Sequence, residues 1–184
     1  VVNARSEESL EIGNLYRRAR EIPYRQVLVL STAPSPVVSY QTYLAEIEKP
    51  IRQYLADEGL ADEITCIVLT RGLPIQVDTH NGRSVASLLA TLDLRKGVSR
   101  LANPYLDSST AFSHREDALR GMYLVTVLNG YHVRDVRTLI EQGTLADGRE
   151  PDGRFIVQTV PQMPRASHAE GVYLLTLRGL AVES

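Results

Sequence analysis

The sequence predicts an α/β fold, a three-layer αβα domain around a mainly parallel sheet of flavodoxin-like or caspase-like topology. Short β-rich runs at 1–2, 27–30, 64–69, 123–128 and 155–160 alternate with stretches of helical periodicity, the signature of βαβ units. The run at 64–69 is apolar except for Thr65, the pattern of a strand covered on both faces at the centre of a parallel sheet. A chain of 184 residues buries roughly 70% of its unfolded surface without a disulfide or metal staple, so 1–184 reads as one α/β domain.

The elements follow in order. Ser6 is placed to cap the first helix, with Glu7 and Glu8 complementing its positive end; Leu10, Leu15, Ala19 and Ile22 recur at near-helical spacing, and Pro23 stops it. Arg17, Arg18 and Arg20 fall in its last turn, where cations offset the negative helix end. A second helix over 39–58 sets Tyr43, Leu44, Ile47, Ile51, Tyr54 and Leu55 on one stripe, with Pro50 kinking or restarting it and Gly59 capping it. A short helix over 84–92 carries Val85, Leu88, Leu89 and Leu92. The polar stretch 95–120 reads as the most irregular part of the chain. After the fourth strand, Asn129-Gly130 turns into a helix over 133–142 with Val136, Leu139 and Ile140 inward, and a last helix is expected near 169–177. The same reading makes Leu28, Cys66, Ile67, Val68 and Val125 nearly inaccessible.

Composition excludes several functions. Lys and Arg total 20 against 22 Asp and Glu, so no basic excess awaits a nucleic acid backbone or an anionic membrane. No apolar run approaches the roughly 20 residues that span a bilayer. One cysteine and four scattered histidines make no structural metal site, and Asp78 with His80 supplies only two ligands. No glycine-rich phosphate loop is present, so no cofactor is implied. Cys66 reads as a buried structural thiol, out of reach of His80, His114 or His132 as a nucleophile.

What remains is the carboxyl edge of the strands, where parallel α/β sheets receive ligands. Asn3, Arg5 and Ser6 follow the first strand, Thr32 the second, Thr70, Arg71 and Gly72 the third, and Asn129 the fourth. Arg5 and Arg71 beside a capped helix start suit a carboxylate or phosphate. The structural alternative has the arginines in solvent or paired with loop acids, Asn3 and Ser6 capping the helix, and Gly72 shaping a turn.

The fragments Asn3-Ala4-Arg5-Ser6, Ile22-Pro23, Gly72-Leu73-Pro74, Ser84-Val85, Asn103-Pro104-Tyr105, Tyr123-Leu124-Val125-Thr126 and Asn129-Gly130-Tyr131 resemble, in this order, an uncharacterised bacterial protein family. The resemblance is strongest over 1–142. It implies a chain that continues past Ser184 into a glycine-rich segment, and the sequence departs from the family pattern in having Val127, Asn129 and Gln158 where an arginine and two aspartates are usual.

Two functions follow as expectations. One is a non-catalytic ligand-binding or interaction domain of a larger bacterial protein, taking a small anion at the strand edge. The other is the amino-terminal half of a caspase-like hydrolase whose catalytic residues lie beyond Ser184. Both ends read as cut, and export or envelope association is the expectation if a signal precedes Val1.

Overall fold

The computed structural model describes residues 1–78, 82–92 and 123–146, and the backbone of two strands, 155–158 and 174–177. The chain divides into two compact units, Val1–Ile140 and Glu141–Ser184.

The first unit is α/β, with three parallel strand pairs. Strand β1 (Val2–Asn3) leads to α1 (Glu7–Ala19) and, through a 3-10 turn at Tyr24–Gln26, to β2 (Val29–Leu30). Next come β3 (Val37–Ser39), a helix in three segments, β4 (Cys66–Thr70), β5 (Gln76–Asp78), α4 (Val85–Ala90), β6 (Leu124–Leu128) and α5 (Val133–Ala146). The pairs are β1 with β2, β3 with β5, and β4 with β6, all parallel. Val1 links the first pair to the third: its backbone nitrogen donates to the Val68 carbonyl at 2.7 Å, and its carbonyl accepts from Thr70 N–H at 3.2 Å. Strand β1 therefore lies between β2 and β4, with β6 beyond β4.

The helix boundaries follow the capping chemistry. Ser6, Ser39 and Ser84 each cap a helix by accepting an N–H in its first turn. The helix after Ser39 runs as α2 (Tyr40–Tyr43), a π-helical turn (Leu44–Glu48) and α3 (Lys49–Asp57). Pro50 stands second in α3, and Lys49 N–H reaches five residues back to the Leu44 carbonyl, so the wider turn receives the proline ring without breaking the helix. Gly59 ends α3 at φ 63°. Its N–H bonds the Ala56 carbonyl and that of Leu60 bonds the Leu55 carbonyl, a Schellman closure in which buried Leu55 and Leu60 join one cluster.

Strand β4 shares its side chains between two apolar clusters. Ile67 and Leu69 pack with Tyr43, Ile47, Ile51, Leu55, Val85 and Leu89 from the long helix and α4. Val68 packs with Ile12, Leu128, Val136 and Ile140, drawn from α1, β6 and α5. Arg137 adds a 2.9 Å ion pair to Glu11, holding α5 to α1.

Five expectations need correction. Cys66 is exposed: it opens β4 opposite Leu124, itself exposed, at the end of the ladder. Leu28, Val68 and Val125 are half-buried, whereas Ile67 is buried as expected; Leu28 and Val68 border a cavity, and Val125 lies on a strand whose one ladder among the described residues is with β4. Ile12, not Leu10, centres the buried face of α1. Leu139 is exposed on α5, because the inward stripe takes Val136 and Ile140 only. The stretch expected as a last helix contains a strand, β8 (Leu174–Leu177), antiparallel to β7 (Phe155–Gln158) in the second unit: three of its four residues are leucine, a composition that favours neither state, and β7 supplies the hydrogen-bonding partner. The stretch 95–120 lies outside the described residues.

Candidate functional site

The buried polar side chains among the described residues, Asn3, Ser9, Thr32 and Thr70, gather at the carboxyl ends of β1, β2 and β4 and the first turn of α1. Burial of such groups is tolerated only where hydrogen bonds replace water, and here three of the four share one network.

Asn3, fully buried, uses its whole amide. Its Nδ2 donates to the carbonyls of Thr32 (2.9 Å) and Gly72 (2.8 Å), and its Oδ1 accepts from the N–H groups of Arg5 (3.1 Å) and Thr32 (3.2 Å). One side chain thus fastens the loops after β1, β2 and β4. The Asn3 N–H donates to Ser9 Oγ at 2.7 Å, Ser9 Oγ lies 2.6 Å from Thr70 Oγ1, and Thr70 Oγ1 donates to the Val1 carbonyl at 3.2 Å. Thr32 Oγ1 is buried with no hydrogen-bond partner among the described residues.

The loop after β4 fits against the start of α1. Gly72 sits at φ 91°, and a Cβ there would overlap Ser6 Oγ, so only glycine brings this backbone onto the helix cap. Next to it Arg71 is held on two sides. Its Nε pairs with Glu8 Oε2 at 2.7 Å, and its Nη1 donates to the Gly130 carbonyl and reaches Asn129 Oδ1 at 3.5 Å. Arg71 therefore clasps α1 to the turn after β6. Arg5 is exposed, and its guanidinium has no partner among the described residues.

The structure divides the work of the residues singled out from the sequence. Asn3 and Thr70 are consumed by internal hydrogen bonds, Gly72 supplies close approach, and Arg71 and Asn129 make the clasp. Ser6 Oγ accepts from Ser9 N–H at 3.3 Å, which leaves its own proton uncommitted. Sequence reading missed Ser9, whose place within a helix concealed that it faces β4, and Glu8, read as a helix-end charge rather than as a partner for Arg71.

Among the described residues no group of three or more His, Cys, Asp or Glu is arranged to hold a metal ion, and no helix is long and apolar enough to cross a membrane. Cys66 stands at the amino end of β4, opposite to this edge, and partial desolvation by the neighbouring chain raises its thiol pKa, so the thiol form dominates at neutral pH. No protein-family model matches the chain, and no significant match occurs among curated proteins or solved structures.

Proposed function

We propose that the chain is a three-layer αβα binding domain of flavodoxin-like topology, part of a larger bacterial protein, that takes a small anion at the carboxyl edge between β1 and β4. The observation that carries this reading is the seating of Gly72 on Ser6, which sets the loops bearing Arg5 and Arg71 side by side. With β2 outside β1 and β6 outside β4, successive connections depart in opposite directions from the β1/β4 boundary, the place where open α/β sheets receive ligands. The first-turn N–H groups of α1, the free proton of Ser6 and the unpaired Arg5 guanidinium give that rim donors for an oxyanion.

Glu8 is the competitor. Its pair with Arg71 is half-exposed on the Glu8 side, and such pairs are worth roughly 0–1 kcal/mol, so an anion displaces it at small cost. A binding role suits this edge better than a catalytic one, because the hydroxyls of Ser9 and Thr70 are tied into the framework.

Calorimetric titration with phosphate, sulfate and small dicarboxylates at low ionic strength tests the reading. Saturable binding is expected; Arg5→Ala should weaken it at least about tenfold, the loss of one charge-assisted contact, and Glu8→Gln should strengthen it. An absence of saturable binding for all of these anions, or binding indifferent to Arg5→Ala, overturns the proposal.

A further inference from the structure

Alongside β1 and β4 is a partly open cavity of about 130 Å³, lined in part by Val1, Leu28, Leu55, Ile64, Cys66 and Thr70. Apolar cavities near this size accept a molecule of one benzene ring, a comparison drawn from another protein. Arg17 also lines it. The Arg17 guanidinium carbon stands 4.0 Å from the centroid of the Tyr24 ring, and Arg17 Nε is buried with no hydrogen-bond acceptor among the described residues. Arg17 is half-buried and Tyr24 exposed, which places this cation where the cavity wall meets solvent.

We propose that the cavity is a binding site for a small apolar carboxylic acid, with a single ring or short branched chain among the aliphatic walls and the carboxylate on Arg17. Two features choose this class over its neighbours. A hydrocarbon of the same size leaves the Arg17 charge at the cavity wall without a counter-ion. A compact polyanion such as phosphate has no use for the aliphatic walls and loses its hydration against them. An acid with an apolar body answers both walls and cation. This site is separate from the rim carrying Arg5 and stands or falls independently of the function proposed there.

Cys66 is the single cysteine and part of the lining, so its alkylation reports occupancy. The experiment follows the rate of Cys66 alkylation by iodoacetamide on the whole chain, at an alkaline pH where the thiolate is populated, with benzoate, benzyl alcohol or phosphate added. Benzoate should slow alkylation roughly tenfold near saturation, as expected when about nine-tenths of the molecules are occupied. Benzyl alcohol should protect more weakly and phosphate not at all. Arg17→Met should erase the preference for benzoate over benzyl alcohol, and Arg5→Ala should leave protection intact. If Arg17→Met loses its native circular dichroism, the unaltered chain decides: equal protection by benzoate and benzyl alcohol overturns the proposal. So does an alkylation rate unmoved by benzoate, or protection that depends on Arg5 and survives Arg17→Met.

Discussion

Ser9 Oγ and Thr70 Oγ1 lie 2.6 Å apart, the middle link of a chain of donors that runs one way from Asn3 N–H through Ser9 and Thr70 to the Val1 carbonyl. Thr70 spends its proton on Val1, so Ser9 must donate to Thr70 and is free to accept from Asn3. The direction is dictated by the ends.

Ser9→Ala removes the central hydroxyl and leaves the Asn3 N–H buried without an acceptor, at an expected cost of about 1–3 kcal/mol. Thr70→Val should cost a similar amount. The double variant should cost less than the sum, because each hydroxyl is the other's partner. Urea denaturation midpoints for the four proteins check this; strict additivity contradicts a shared network.

Asn3→Asp keeps the shape and the accepting oxygen but sets an acceptor against the carbonyls of Thr32 and Gly72. Two lost donors predict a destabilisation of about 2–6 kcal/mol at neutral pH. Burial and the facing carbonyls raise the folded-state pKa of the new carboxyl. The penalty is therefore largest above that pKa and shrinks as pH falls and the group recovers one donor. Denaturation midpoints at neutral and acid pH, each referenced to the parent, check the sign.

Gly72→Ala places a Cβ on Ser6 Oγ at a positive φ. Left-handed strain alone costs of order 1–3 kcal/mol, and the overlap adds the loss of the α1 cap, worth about 1 kcal/mol. Gly59→Ala is the control, since its φ is also positive but nothing lies within 4 Å of the added carbon. The Gly72 variant should melt well below the Gly59 variant in a calorimetric scan.

Burial, with the Glu48 charge adding to it, pushes the Tyr43 phenol well above its usual pKa. The folded state holds this proton more tightly than the unfolded chain does. The associated stability is complete below about pH 10, where an ordinary phenol begins to ionise, and is lost as pH rises beyond that. Tyr43→Phe should show a shallower decline of urea midpoint on the alkaline side; an unchanged slope refutes the assignment.

The elements most legible in the sequence were those written in local chemistry. Ser6, Ser39, Ser84 and Gly59 mark helix ends because a hydroxyl or a missing Cβ acts within a few residues of itself. The Tyr43 to Leu55 stripe was legible because one face packs against one cluster. Position along a strand was not: an apolar run declares that a strand is covered, without saying that Cys66 is its open first residue. Strands β3 and β5 escaped notice because three residues carry too little alternation. At the carboxyl edge the sequence named Asn3, Thr70 and Arg71, yet whether Asn3 faces a ligand or three loops depends on strand adjacency, which only pairing reveals.

The widened turn at Leu44–Glu48 has a consequence for how this protein tolerates change. Tyr43, Ile47, Ile51 and Leu55 are buried at intervals of four, a spacing that drifts around an ordinary α-helix, where each residue advances about 100°. The turn works as a vernier, taking up the surplus so that both halves of the helix keep facing the same cluster. Removing one residue between Tyr43 and Pro50 would return the segment to an ordinary pitch and keep Tyr43 on the side of Ile51, since seven residues at about 100° each nearly complete two turns, but it would press the proline ring on the preceding turn. The surplus residue is therefore what lets a proline stand inside this helix while both halves keep one buried face.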